Sequence, residues 1–213
     1  MPEFKLHYFD FTGRAEPIRM ILSYGGIKFE DIRVGHEDFV KMKPTLPLGQ
    51  LPVLEIDGKM IPQSTAISRY LATLTKLDGN DAKENLRIDV ATDTLLDLQQ
   101  KLYDFAFEKD EEKKKTLEPV LANETVPFFL KKFDEKAGEN GGFIAIKRIS
   151  WADISFICVY ESMRNILKKD MLADYPNLIK TKNNILAVPN LREYIKSRPE
   201  HKMYTTFDLK QEL

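Results

Sequence analysis

The sequence predicts an α/β domain over residues 1–76 followed by an all-α domain over residues 82–213. Three observations carry this reading. In the first third, short runs with apolar residues at period two alternate with helical spacing. Asp57-Gly58 is a two-residue hairpin signal between two such runs. Beyond the polar, turn-prone stretch Leu77-Asp78-Gly79-Asn80-Asp81, the spacing is helical to the end.

In chain order, Phe4, Leu6 and Tyr8 mark a half-buried strand, and Thr12-Gly13 turns the chain into Arg14-Ala15-Glu16-Pro17. Pro17 suits a first helical turn, where its missing N–H leaves no partner behind. Ile18, Ile21 and Leu22 form one helical face, which Gly25-Gly26 stops. Residues 29–34 read as a second strand, completing a βαβ unit, and residues 35–49 as a loop. Leu51-Pro52 leads into a third strand at Val53-Leu54-Glu55-Ile56, and Lys59-Met60-Ile61 returns antiparallel up to Pro62. Ser64 is placed to cap a helix through Ala66, Ile67, Tyr70, Leu71 and Leu74, so the order is βαβ then ββα.

In the second domain, residues 82–108 lack Gly and Pro and predict one long helix. The charge run 109–115 mixes both signs and reads as a solvated helix end or loop. A helix over 117–137 is expected to kink at Pro127, with a loop at 138–142. Ser150-Trp151-Ala152-Asp153 opens the most apolar helix with Ser150 and Asp153 as a reciprocal capping pair. Two short helices, over 178–186 and 191–197, are each bounded by proline.

Composition narrows the function. Of 213 residues, 43 % are apolar and 31 % charged, and 32 Lys plus Arg nearly cancel 33 Asp plus Glu. Such a balance excludes a polyanion binder on bulk charge, so no nucleic-acid partner is expected. The lone Cys158 forbids an intramolecular disulfide and favours a cytoplasmic, reducing setting; its apolar surroundings make it a core residue. The longest apolar run, residues 156–160, is far too short to span a bilayer, and the first residues carry no secretory-signal pattern. His7, His36 and His201 are scattered without ligand spacing, so no metal is expected.

Two short motifs suggest recognition of an extended ligand. If the Leu51-Pro52 peptide is cis, the Leu51 backbone can turn outward to pair with a peptide-like molecule; an ordinary strand-entry proline is the alternative. Gln63-Ser64 lies at a helix N-terminus, where free N–H groups and the macrodipole favour a carboxylate, although Ser64 serves equally as a plain cap.

Five ordered blocks carry a resemblance that covers essentially the whole chain. They are Tyr8, residues 13–19 (GRAEPIR), residues 49–54 (GQLPVL), residues 63–71 (QSTAISRYL) and residues 150–153 (SWAD). Together they resemble cytosolic glutathione transferases, and the tyrosine and spacing look most like the sigma class, which includes invertebrate transferases and glutathione-dependent prostaglandin D synthases. The resemblance implies a thioredoxin-like first domain, a homodimer and glutathione as co-substrate with no other cofactor.

It further implies that the Leu51 backbone, next to Pro52, pairs with the cysteinyl unit and that Gln63 and Ser64 hold the γ-glutamyl carboxylate. Lys43 and Gln50, with Phe39, would lie near the glycyl carboxylate, and Asp97 would reach the ligand amine in the partner subunit. Tyr8 would donate its O–H to the sulfur, with Arg14 adding positive charge. A free thiol of this type has a pKa near ~8.5, and each unit of lowering is worth about 1.4 kcal/mol. The resulting thiolate would attack a hydrophobic electrophile in an apolar cleft between the domains, for which Phe9, Gly13, Tyr103 and Phe207 are candidate walls.

Three positions depart from the family pattern. Phe39 replaces a common Trp and Gln50 a common Lys, so two polar contacts with the glycyl end weaken. Leu96 interrupts the three-carboxylate cluster that binds a cation in vertebrate prostaglandin D synthases, which argues against a metal and against prostaglandin isomerisation as the main activity. The expected function is therefore conjugation of glutathione to small electrophiles, in detoxification. Prostaglandin D isomerisation and a non-catalytic, structural or ligand-binding role are the competing readings; a dithiol oxidoreductase is disfavoured by the lack of Cys-x-x-Cys.

Overall fold

The computed structural model describes residues 2–200 and 208–213. Strand β1 (Phe4–Phe9) is central and buries Phe4, Leu6 and Tyr8, as its period-two pattern requires. It pairs in parallel with β2 (Glu30–Val34) and antiparallel with β3 (Val53–Ile56), and β3 pairs antiparallel with β4 (Lys59–Pro62). The sheet order is β2-β1-β3-β4, which leaves Pro62 on an edge strand, where its missing N–H breaks no ladder. The β3–β4 turn places both Asp57 (φ 49°) and Gly58 (φ 80°) in the left-handed region, as a type I′ hairpin demands.

Helix α1 (Glu16–Tyr24) follows a 3₁₀ turn at Gly13–Ala15 and ends at Gly25. The segment expected as a loop contains α2 (His36–Met42) and a 3₁₀ turn at Lys43–Thr45. None of the α2 residues is buried, so no apolar face marks it in the sequence. Helix α3 spans Ser64–Thr75, and here the expected cap is corrected. Gln63 occupies the cap position at φ 77° without a side-chain bond, and Ser64 is already the first helical residue.

The helical part of the chain continues with α4 (Ala82–Ala106), capped by Asp81, whose carboxylate accepts from the Lys83 and Glu84 N–H groups at 2.8 Å each. The junction before it is anchored rather than loose: Leu77 is fully buried and its carbonyl accepts from Trp151 N at 3.0 Å. Most of the charge run belongs to α5 (Glu111–Val120), capped by Asp110. The single helix expected over 117–137 is in fact the end of α5, a π turn at Leu121–Thr125 and α6 (Val126–Glu139). Pro127 directly follows the π turn, where Val126 N donates to Leu121 O five residues back, and the helical backbone runs on through it.

Helix α7 (Trp151–Leu167) is the core of the domain, with twelve buried residues, and packs against α1 and α4. Its capping pair forms as expected, with Ser150 N donating to Asp153 Oδ2 at 2.8 Å and Ile144 N to Oδ1 at 2.9 Å. Cys158 lies inside, its Sγ 3.4 Å from Met20 Sδ, and burial pushes its thiol up, so it packs rather than reacts. Helices α8 (Pro176–Leu186) and α9 (Pro189–Ser197) complete the array. Among the described residues, no helix is long and apolar enough to cross a membrane.

Where α1 meets α7 and α9, an ionic chain runs through the interior. Glu16, Arg19, Glu161 and Arg198 are all essentially inaccessible to solvent. Arg198 donates to Glu16 (2.7 Å), to Asp208 (2.7 Å) and to both carboxylate oxygens of Glu161, while Arg19 donates to Glu16 (3.1 Å) and Asp31 (3.0 Å).

Candidate functional site

Tyr8 ends the buried run of β1 beneath the 3₁₀ turn, and its Oη accepts a hydrogen bond from Arg14 N at 3.1 Å. Gly13 makes this approach possible. A Cβ on Gly13 would stand 2.5 Å from Tyr8 Oη and from Phe11 Cε2, and its φ of +45° also favours glycine. Burial pushes the Tyr8 phenol above its usual value, with the Arg14 N–H and the positive charges of Arg19 and Arg14 opposing. The hydroxyl is therefore protonated at neutral pH, and because it accepts from Arg14 N, its own proton is free to donate elsewhere.

Two cavities adjoin the Gly13-Arg14 turn, and Tyr8 lines the smaller of them. The larger, about 470 Å³, has Gln50, Leu51 and Pro52 on one wall, Gln63 and Ser64 on another, and Phe9, Arg14 and Phe39 completing it. The Leu51-Pro52 peptide is cis. The smaller, about 220 Å³ and more apolar, is walled by Tyr8, Gly13, Arg14, Leu51 and Tyr103, with Phe11 and Phe107. Arg14 and Leu51 thus line both spaces. The Arg14 side chain is held over the Tyr103 ring (5.7 Å to the centroid) by a 2.8 Å bond to Gln100 Oε1.

Most expected site residues converge here. Phe9 lines the larger cavity rather than the apolar one, packed edge-on against Phe39 at 5.1 Å. Lys43 does not line the cavity; it stands beside Gly49, with its Nζ 5.9 Å from the Phe39 centroid. Asp97 is exposed on α4 and lines neither space. Phe207 lies outside the described residues. Sequence reasoning missed Leu48 and Pro62 in the larger cavity, and Phe11, Thr12, Phe107, Ser162, Asn165 and Ile166 in the smaller. Phe11 and Thr12 share the turn with Gly13 and were within reach of the argument. Ser162, Asn165 and Ile166 recur at i, i+3 and i+4 on α7, a helical face that meets the cavity only after the domains pack.

A thioredoxin-like sheet domain joined to an all-helical one, with a cis Leu-Pro and a helix N-terminus around one cavity, is the architecture the resemblance implied. The family model described as "Glutathione S-transferase, N-terminal domain" matches residues 4–73, and that described as "Glutathione S-transferase, C-terminal domain" matches residues 96–198. A glutathione S-transferase of Anopheles gambiae is 40 % identical over 199 residues, covering 93 % of this chain and 98 % of that protein. A hematopoietic prostaglandin D synthase of Rattus norvegicus is 39 % identical over 204 residues, covering 95 % and 100 %. The solved structure of prostaglandin synthase D of Nilaparvata lugens superposes with a TM-score of 0.88 at 42 % identity, covering 93 % of this chain and 99 % of that one. The chain belongs to the glutathione S-transferase family. It is accordingly a glutathione transferase, with glutathione as its co-substrate.

Proposed function

We propose that the chain is a sigma-class enzyme that adds the glutathione thiolate to small hydrophobic electrophiles, with Tyr8 as the thiolate-stabilising donor. One observation carries the reading: a protonated, buried hydroxyl, already accepting from Arg14 N, lines the apolar cavity, and Arg14 and Leu51 line both that space and the polar one. Glutathione occupies the larger cavity. Gln63 and Ser64 hold its γ-glutamyl carboxylate at the α3 N-terminus, the Leu51 backbone pairs with its cysteinyl unit, and Gln50, Phe39 and Lys43 lie toward its glycyl end. The sulfur then reaches Tyr8, whose hydrogen bond favours the thiolate, and Arg14 adds positive charge from its place between the two spaces. The electrophile enters the apolar space beside Tyr103 and Phe107, so orientation and thiolate stabilisation supply the catalysis without a covalent enzyme intermediate.

The same reading takes the protein to be a cytoplasmic homodimer serving detoxification. Exposed Tyr70 and Leu74 on α3, and Leu86 and Val90 on α4, are apolar i, i+4 pairs on helices tied by the Arg69–Asp89 ion pair at 2.9 Å. That apolar surface supports a self-association face, with Asp97 on the same helix offered to the neighbouring subunit's ligand amine.

The decisive assay is conjugation of glutathione to chlorodinitrobenzene, followed across pH for the wild type and Tyr8→Phe. The expected result is a loss of about 10²-fold in kcat/KM below pH 7 in the variant, with a higher apparent thiol pKa. Wild-type protein that binds glutathione but conjugates no electrophile overturns the reading. Likeness to relatives named prostaglandin D synthases favours endoperoxide isomerisation as the second reading, which an assay for prostaglandin D formation decides.

A further inference from the structure

Arg19 is the most fully enclosed cation beside the site, and nothing in the reaction scheme uses it. It lies on α1 with no solvent exposure, between Tyr8 on β1, Asp31 on β2, Glu16 on its own helix and Tyr194 on α9. Its Nη1 donates to the carbonyls of Phe11 (3.0 Å) and Thr12 (3.4 Å), the two residues that enter the Gly13-Arg14 turn. Its Nη2 is buried without a hydrogen-bond acceptor among the described residues, and the guanidinium carbon is 5.7 Å from the Tyr8 ring centroid, within cation–π range. One group thus touches both halves of the Tyr8 Oη···Arg14 N contact, the ring from behind and the turn from below.

We propose that Arg19 is a positioning residue for Tyr8, clamping the turn that presents Arg14 N to the phenol and fixing a buried positive charge behind the ring. Its orientation comes from the ionic chain: Glu16 holds Nη1, Asp31 holds Nε, and Glu16 is itself held by Arg198 and by the Tyr194 hydroxyl at 3.0 Å. Because the charge is fixed and desolvated, it favours anionic character at the hydroxyl and at whatever accepts its proton. The proposal rests on the reading of Tyr8 as the thiolate-stabilising group, and it reaches one layer deeper.

The test compares wild type with Arg19→Lys, Arg19→Met and the double variant Glu16→Gln/Arg19→Met, which removes cation and anion together and keeps the interior neutral. Two readouts are taken. The first is the ultraviolet titration of the thiolate of bound glutathione. Loss of the cation is expected to raise its apparent pKa by about one unit, a tenfold smaller thiolate fraction below that pKa, with Arg19→Lys between wild type and the methionine variants. The second, independent of glutathione, is amide hydrogen exchange at Arg14. It is expected to speed about tenfold relative to the Trp151 amide in both methionine variants, as local opening becomes easier. If wild type binds no glutathione, the functional reading fails, and the exchange measurement alone decides the role of Arg19. Thiol titrations that coincide in folded wild-type and double-variant protein, or an Arg14 amide as protected as before, overturn the proposal.

Discussion

Two groups of polar side chains, one lining the larger cavity and one inside the core, differ in what satisfies them. On the cavity side, Gln50, Gln63 and Ser64 line a 470 Å³ space, and their side chains make no hydrogen bond to any described residue. On the core side, the Arg198 guanidinium meets Glu16, Glu161 and Asp208, and Leu209 N donates to Glu161 at 3.1 Å. Both groups are rich in donors and acceptors. Those of the core are spent on one another and hold the C-terminal residues against α1 and α7; those of the cavity remain available to a solute. Polar composition therefore locates neither function nor stability, whereas internal satisfaction separates the two.

The comparison breaks most visibly at Arg198. Replacing it by methionine leaves the Glu16 and Glu161 carboxylates buried with too few donors, and the expected loss of stability is about 3–5 kcal/mol by urea denaturation. Burial pushes the Glu161 carboxyl up to about 7 even with the arginine present, so in the variant that carboxyl takes a proton rather than stay charged. A loss under about 1 kcal/mol would show that the chain is less tightly closed than its distances indicate.

Asp153 gives a second, smaller test within the core. Burial raises its carboxyl to about 6 although Ile144 N, Ser150 N and Ser150 Oγ all donate to it. The native chain thus keeps a proton that the unfolded chain, with an ordinary carboxyl near ~3.9, has released between about pH 4 and 6. Stability from this group is highest below that window and declines as pH rises through it, by at most about 1.4 kcal/mol per pH unit. Asp153→Asn should lack that slope, so the wild-type stability minus the variant's should fall as pH rises through the window, and a flat difference assigns the titration to another group.

How much of this was legible in the sequence follows from the same distinction. The alternation of β1, the Asp57-Gly58 hairpin and the Ser150–Asp153 capping pair are local, and each could be read from a few residues. Leu51-Pro52 and Gln63-Ser64 drew notice locally, one pair before a strand and the other at a helix start, whereas the roles expected of Tyr8 and Arg14 came only with the family resemblance. Helix α2 was not legible, because none of its seven residues is fully buried and its half-buried Phe39 and Met42 are too few to mark a period. The ionic chain was invisible for the opposite reason: Glu16 and Arg198 are 182 positions apart, and no local pattern announces a contact at that separation. The same holds for the α7 side of the apolar cavity, which exists only after α7 packs against α1 and α4.

On the cavity side, Ser64→Ala separates ligand binding from capping. Because Gln63 and not Ser64 holds the cap position, and Ser64 makes no internal bond, the substitution should leave the thermal midpoint unchanged. Glutathione KM should rise about tenfold, the loss of one hydrogen bond to a carboxylate. A lower midpoint with an unchanged KM would instead make Ser64 part of the structure.

The smallest effect is expected where ions pair in water. Lys113 and Glu108 form a close contact between the end of α4 and the start of α5, and the pairing holds the Glu108 carboxyl down at about 2. By distance alone this contact rivals any in the interior, yet it lies at the surface, with the lysine side chain 61 % and the glutamate side chain 17 % exposed. Solvent screens the attraction, and ordering a long lysine side chain costs entropy, so the gain largely cancels. Lys113→Ala should therefore leave the urea midpoint unchanged, at low and at high salt alike. Should it destabilise the protein as much as Arg198→Met, short distance rather than enclosure would be what makes an ion pair matter here, and the weight given to enclosure in the core would lose its physical basis.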